Sequence, residues 1–253
     1  AMLGNVAGDY NTSLGYYTLR NNTSGNVNTA IGTQALFKNT VGSYNLAVGV
    51  EALANNKSGV NNTAIGGYDT LLNNTVGSAN VGVGYASLYA NTTADGNTAI
   101  GNDSLYHNTS GRFNSAVGRS SGEFNTTGEF NVFLGFQAGL ENREGSNNVF
   151  IGRRSGLNHT GNNNIIIGSY SQGLHPELNN QLSIGNIIYG DLETGSVQIP
   201  GGLSTTKLKL PNYPAAPKSS SSYCEEGEVR LSKESIYICV ATNHWRKTAL
   251  IDF

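Results

Sequence analysis

Apolar residues in this chain do not recur at helical spacing. They fall in short doublets that close on glycine, as in Ala30-Ile31-Gly32, Ala47-Val48-Gly49, Ala64-Ile65-Gly66 and Phe150-Ile151-Gly152. Each doublet ends a unit Asn-x-x-apolar-Gly, whose glycine stands at 15, 32, 49, 66, 84, 101, 118, 135, 152 and 168, with a degenerate copy at Gly185. The glycines are 17 residues apart except for one spacing of 18 and one of 16. A second Asn follows seven residues on, at 22, 39, 56, 91, 108, 125 and 142; the long repeat shifts it to Asn74 and the short one to Asn158. A second Gly follows ten residues on, at 25, 42, 59, 111, 128 and 145. Asn28, Gly32, Asn45, Gly49, Asn62, Gly66, Asn97 and Gly101 represent this fixed frame.

A 17-residue period is too short for a helix pair or a propeller blade. One unit cannot bury its own apolar residues, so units must stack. The pattern predicts an all-β chain, a parallel β-solenoid or β-roll with one rung per repeat. Both glycines are expected at corners with positive φ. The asparagines suit left-handed turns and side-chain ladders along the axis. At the strand spacing of ~4.8 Å, ten rungs give a rod roughly 50 Å long. Successive strand residues face opposite ways, so apolar doublets imply burial on both faces. One thin solenoid has a single interior, and the second face then calls for another copy of the chain.

Two positions exchange volume. Leu19, Leu36, Leu53, Leu71, Leu88 and Leu105 are each followed in the next strand by a small residue: Ala30, Ala47, Ala64, Gly82, Ala99 and Ala116. Gly122, Gly139 and Gly156 are followed instead by Phe133, Phe150 and Ile166. Close-packed interiors require volume lost at one site to be filled nearby, so the two positions are expected to share one space. The register also reaches back to Asn5 and Gly8, with Met2 at the Leu position. The chain thus starts within a rung, as a piece of a longer fibre with further rungs upstream would.

The pattern stops near residue 175. All five prolines, both cysteines and the single tryptophan lie beyond it. We divide the chain into a repeat array, 1–175; a capping β segment, 176–202; a linker, 203–222, that opens with a strand; and a small β-hairpin module, 223–253. In the module, residues 228–231 and 236–240 flank a turn, and Trp245 through Ile251 offer a third strand. Cys224 and Cys239 bracket this hairpin. In an oxidising setting they read as one structural disulfide, and in a reducing one as two buried thiols. Two cysteines with only His244 nearby do not make a zinc site.

Composition sharpens the picture. The chain holds 34 Asn and 33 Gly among 253 residues, which suits turns and disfavours helices. Charged residues are 13% and the net charge is −2, with no basic cluster, so nucleic acid has no electrostatic footprint here. No apolar run approaches the ~20 residues of a membrane-spanning helix. At 38% hydrophobic residues the chain is not composed like a disordered one. No nucleophile, acid–base pair, metal-ligand set or cofactor motif stands out. His107, His159, His175 and His244 are scattered, and His159 is expected in a solvated rung corner. The sequons, such as Asn22-Thr23-Ser24, read as a by-product of the repeat. Tyr16, Tyr17, Tyr68, Tyr85, Tyr106 and Tyr170 suit rim packing between chains or stacking on sugars. Where the repeat constraint is released, loop chemistry is free to vary, and Tyr237, His244, Trp245 and Arg246 are the candidate binding residues.

The units Asn28-Thr29-Ala30-Ile31-Gly32, Asn62-Thr63-Ala64-Ile65-Gly66 and Asn97-Thr98-Ala99-Ile100-Gly101 resemble the head repeats of YadA-type trimeric autotransporter adhesins. Similar repeats occur in phage tail fibres. The resemblance spans residues 3–170, with a longer period than the family's and no membrane-anchor barrel in the residues given. It implies a left-handed β-roll stable as a homotrimer, extracellular or on a virion surface. The expected function is a fibre that presents a receptor-binding tip to a cell-surface glycan or protein, without an enzymatic role, a cofactor or membrane insertion. Two other readings are a fibre-borne polysaccharide depolymerase and an ice-binding solenoid. The partial ladder Thr12, Thr29, Thr63, Thr98 suggests the latter, but Leu46 and Val81 break it.

Overall fold

A computed structural model describes residues 1–202, 217–223, 229–231 and 235–249. The chain forms two compact units, Ala1–Gly202 and Leu203–Phe253. In the first, the doublets become short strands: β1 (Thr12–Leu14), β2 (Thr29–Ile31), β3 (Leu46–Val50), β4 (Thr63–Tyr68), β5 (Val81–Val83), β6 (Thr98–Ile100), β7 (Ser115–Val117), β8 (Val132–Leu134), β9 (Val149–Ile151) and β10 (Ile165–Ile167). Each pairs in parallel with the next, one rung on, so that Ala30 meets Ala47 and Ile31 meets Val48. The unit is a parallel β-solenoid of about ten rungs with a 17-residue period. β11 (Gln181–Ile184) continues the parallel stack on the degenerate repeat. β12 (Ile188–Asp191) and β13 (Ser196–Gln198) then turn antiparallel.

The stack is held by backbone hydrogen bonds well beyond the strands. Leu36 N donates to Ala52 O in the following rung, while Gln34 N donates to Tyr16 O in the preceding one. Neighbouring peptides must therefore point opposite ways along the axis. Positive φ accompanies this reversal at three non-glycine places, in the second rung at Gln34 (56°), Leu36 (53°) and Tyr44 (60°). They add to the expected corner at the strand-end glycine, Gly32 (128°), whereas the corner expected at the second glycine is not found. The buried Leu column adopts the left-handed region, although a left-handed conformation costs an L-residue roughly 1–2 kcal/mol. Tertiary packing overrides that preference.

The two glycines of the repeat serve different needs. Gly49, at the strand end, has φ 135°, and a Cβ there would strike the backbone of Gly66. Gly42, of the second set, has no positive φ. It is glycine for lack of space, since a Cβ would meet the Gly59 carbonyl oxygen at 2.5 Å and the Asn56 amide at 2.8 Å.

Those amides belong to two buried ladders. In the first, Asn39 Nδ2 donates to Asn22 Oδ1 at 2.8 Å and to its own rung's Gly42 O at 2.9 Å, and the pattern runs from Asn5 to Asn142. In the second, Asn45 N and Nδ2 both donate to Asn28 Oδ1, and Nδ2 also reaches Gly59 O at 2.9 Å. The Thr that follows the first-ladder Asn bonds the next rung as well; Thr40 Oγ1 donates to Lys57 O at 2.9 Å.

The core is a column of Leu and facing Ala, replaced in later rungs by Gly and Phe or Ile. The volume exchange is visible in space. A Cβ on Gly122 would strike the Phe133 ring, and one on Gly139 would strike Phe133 and come within 2.9 Å of Phe150. A third column, from Thr18 through Ala35, Ala52, Thr70 and Ser87 to Ser171, is small and buried. Hydroxyls of this column return to the backbone at Thr70, Ser104, Ser121 and Ser155, as Ser121 Oγ does to Phe133 O at 2.8 Å, whereas Ser87 Oγ has no partner among the described residues. The extra residue of the long rung extends β4 and shifts the register between Val48 and Val50, placing Tyr68 opposite Val50. Met2 packs against the core with φ 48°, in the manner of Leu19. The outward residues of the doublets stay partly exposed: Leu14 is 67% exposed, Leu134 44% and Ile100 39%.

The second unit contains a three-stranded antiparallel sheet of β14 (Val229–Leu231), β15 (Ser235–Ala241) and β16 (His244–Ala249). Cys239 and Trp245 are buried in it, with Tyr237 against them. Cys239 is disulfide-bonded, and Cys224 lies outside the described residues. Residues 203–216, read from sequence as a strand and most of a linker, lie outside them too.

Candidate functional site

The β15–β16 pair sorts the sequence-derived candidates by face. Tyr237 is paired with Lys247 and Cys239 with Trp245, whereas Ile238 is paired with Arg246. Alternation along a strand then puts Tyr237, Trp245 and Lys247 on one side and His244 and Arg246, both exposed, on the other. On the first side the Trp245 N–H donates to Ser220 O at 2.8 Å, and its indole Nε1 donates to Ser222 O at 3.1 Å. These bonds lay the segment 217–222 along the sheet. Pro217, Ser219, Ser220, Tyr237, Trp245 and Lys247 thereby line a groove of about 330 Å³. The Lys247 ammonium sits 5.7 Å from the Tyr237 ring centre. A ring, a cation and hydroxyls within one groove are recognition chemistry, suited to a polar ligand with an apolar face.

Sequence reasoning brought Tyr237 and Trp245 together but missed Lys247 and the serines. A two-residue step from Trp245 reaches Lys247, so strand alternation was the available signal. The serine run, read as linker, becomes a groove wall because the Trp245 bonds hold it, and nothing local announces that.

On the solenoid, the tyrosines behave differently. Tyr89 stacks on Tyr106 with centres 4.8 Å apart and planes at 8°, and His107 stacks on Phe124 at 5.1 Å. Such rings spend their faces on one another. Tyr170 is overlain by the Arg153 guanidinium at 4.9 Å. The ladder asparagines of the sequons, such as Asn22, Asn56 and Asn108, are wholly buried.

His159 overturns its expectation of a solvated corner. In the short rung it, and not the exposed Asn158, stands seven residues after the motif glycine, and it is fully buried. Its ring lies edge-on to Phe150 at 5.6 Å, and neither ring nitrogen has a hydrogen-bond partner. Burial holds its pKa below the ordinary histidine value, partly opposed by the side chain of Asn164 and the charge of Glu177. Asn164 is close enough to favour the protonated ring but does not meet hydrogen-bond geometry.

At the solenoid's last turns the Asp191 carboxylate is held below its usual pKa by the backbone N–H groups of Glu193 and Thr194, which donate to Oδ1 at 2.8 and 3.2 Å. Comparison with protein-family models, curated proteins and solved structures finds no match to the chain.

Proposed function

We propose that the chain is a segment of a homotrimeric extracellular or virion fibre that attaches to a cell surface, with the groove of the second unit as its receptor-binding tip. The observation that carries the reading is the outward column Leu14, Ile31, Val48, Ile65, Val83, Ile100, Val117, Leu134, in register over successive rungs. A continuous apolar stripe of this length is unusual on a monomer's surface and suits a partner. A second copy of the same stripe is its natural cover, because periodicity matches rung for rung. The resemblance to YadA-type head repeats supports three chains. The groove supports recognition, since it lies where the repeat no longer dictates the residues.

The test is a whole-cell and glycan-array binding screen of the full chain beside its Tyr237→Ala and Lys247→Ala variants. The reading expects adhesion to a cell or glycan that both variants weaken. Adhesion indifferent to both substitutions would remove the groove from the function.

A further inference from the structure

A second cavity lies inside the first unit, where the rung pattern breaks. It has a volume of about 170 Å³ and is lined by Leu174, His175, Leu178, Asn179, Gln181 and the β12–β13 hairpin. Its walls are fixed by one departure from the repeat. Gln181 stands where the second ladder has Asn, and its backbone N donates to Asn164 Oδ1 at 2.8 Å as the ladder requires. The extra methylene lets its amide reach out. Gln181 Oε1 accepts from His175 N at 3.1 Å, and Nε2 donates to the carbonyls of His175 and Leu178. The loop 174–178 is thus tied to the end of the stack.

The hairpin supplies the other wall. Gln181 is opposite Asp191, Ser183 opposite Tyr189, Tyr189 opposite Gln198, and Asp191 opposite Ser196. Register therefore places Tyr189, Asp191, Ser196 and Gln198 on one face, which lines the cavity. Several polar groups there have capacity left. Asp191 spends Oδ1 on the backbone of the turn, with the Thr194 side chain also against the carboxylate, which leaves acceptor capacity on Oδ2. Asn179 Oδ1 accepts from Asn162, while its Nδ2, the Gln198 amide and the His175 ring make no hydrogen bond among them. The Leu174 and Leu178 side chains and the Tyr189 ring add apolar surface.

We infer that this cavity is a binding site for one neutral hexose unit. The volume is of the order of a single pyranose ring. A carboxylate oxygen beside amide donors matches adjacent hydroxyls, which donate to the first and accept from the second. An aromatic ring and leucines match the sugar's C–H face. The ionised Asp191 disfavours an acidic sugar. The site is separate from the groove of the second unit and stands whether or not that groove binds cells.

The experiment titrates the full chain with glucose, galactose and mannose, and with N-acetylneuraminic acid as the anionic comparator, followed by ligand-observed NMR and calorimetry. At least one neutral hexose saturates with a millimolar Kd, and the anionic sugar does not. Asp191→Asn keeps the turn acceptor, and Gln198→Ala removes an exposed side chain, so both fold. Each weakens the hexose about tenfold, the size expected for losing one charge-assisted or well-placed hydrogen bond. Hexose affinity lost in Tyr237→Ala and kept in both cavity variants would place the sugar in the other groove and overturn the inference. No saturation by any of the three hexoses, wild-type affinity in both cavity variants, or preference for the anionic sugar overturns the inference.

Discussion

Asn56 shows what a ladder residue contributes. Its Nδ2 donates to Asn39 Oδ1 at 2.8 Å and to Gly59 O at 3.0 Å, and its Oδ1 accepts from Asn74 at 2.9 Å. Asn56→Ala orphans the buried Asn39 Oδ1, at about 1–3 kcal/mol, and removes one bond each from Gly59 O, which keeps Asn45 Nδ2, and from Asn74 Nδ2, which keeps Gly77 O, at about 1 kcal/mol each. We expect a loss of about 3 kcal/mol or more, read as a Tm lower by roughly 10 °C. Its neighbour Asn55 is half-buried and makes one side-chain bond, to Asn73, so Asn55→Ala costs well under ~1 kcal/mol. Equal melting of the two variants would contradict the ladder account. His159 gives a pH test. Its folded pKa lies below the unfolded value of 6.5, so the folded state holds a neutral ring. Stability from this residue is complete above the unfolded value and falls as pH drops below it, because unfolding then takes up a proton. The slope reaches about 1.4 kcal/mol per pH unit. Denaturant titrations between about pH 7 and 5 should show this loss in the wild type and a shallower one in His159→Asn; identical profiles would show that burial there is not felt.

At the scale of the rung, Leu53 is fully buried and sits at φ 53°. Leu53→Gly opens a void costing about 2–5 kcal/mol and relieves about 1–2 kcal/mol of left-handed strain. Cavity loss outweighs the relief over nearly all of these ranges, so net destabilisation of about 0–4 kcal/mol is expected, smaller than for Leu53→Ala, which keeps the strain. Adding Ala64→Phe copies the arrangement of Gly122 and Phe133 and should restore part of the loss in a double-mutant cycle. A double variant no better than the sum of its parts would refute the shared volume. This exchange was legible in the sequence because two columns vary together. The period and the strands were legible for the same reason: a glycine and an asparagine return every 17 residues. The positive φ at leucine was not legible, since propensity alone forbids it and only inter-rung backbone bonding requires it. The second glycine was assigned a corner and proves to be a matter of space. His159 was misplaced because a 16-residue rung leaves the first-ladder position ambiguous between residues 158 and 159.

For the whole molecule, the candidate groove was half legible. Tyr237 and Trp245 followed from composition, while their separation from His244 and Arg246 needed the strand register. The outward apolar stripe has the widest consequence. Leaving Leu14, Ile100 and Leu134 in water is unfavourable by about 25 cal/mol for each Å² of apolar surface, and a stripe repeated on every rung favours association with like stripes. Ile100→Asp and Leu134→Asp place charges on that stripe without touching the core column, so they should weaken assembly while leaving the circular dichroism of the fold in place. The most direct measurement is the mass of the full chain in solution by multi-angle light scattering at micromolar concentration. The account predicts three chains of 26.7 kDa each moving as one particle, and a monodisperse single chain would contradict it.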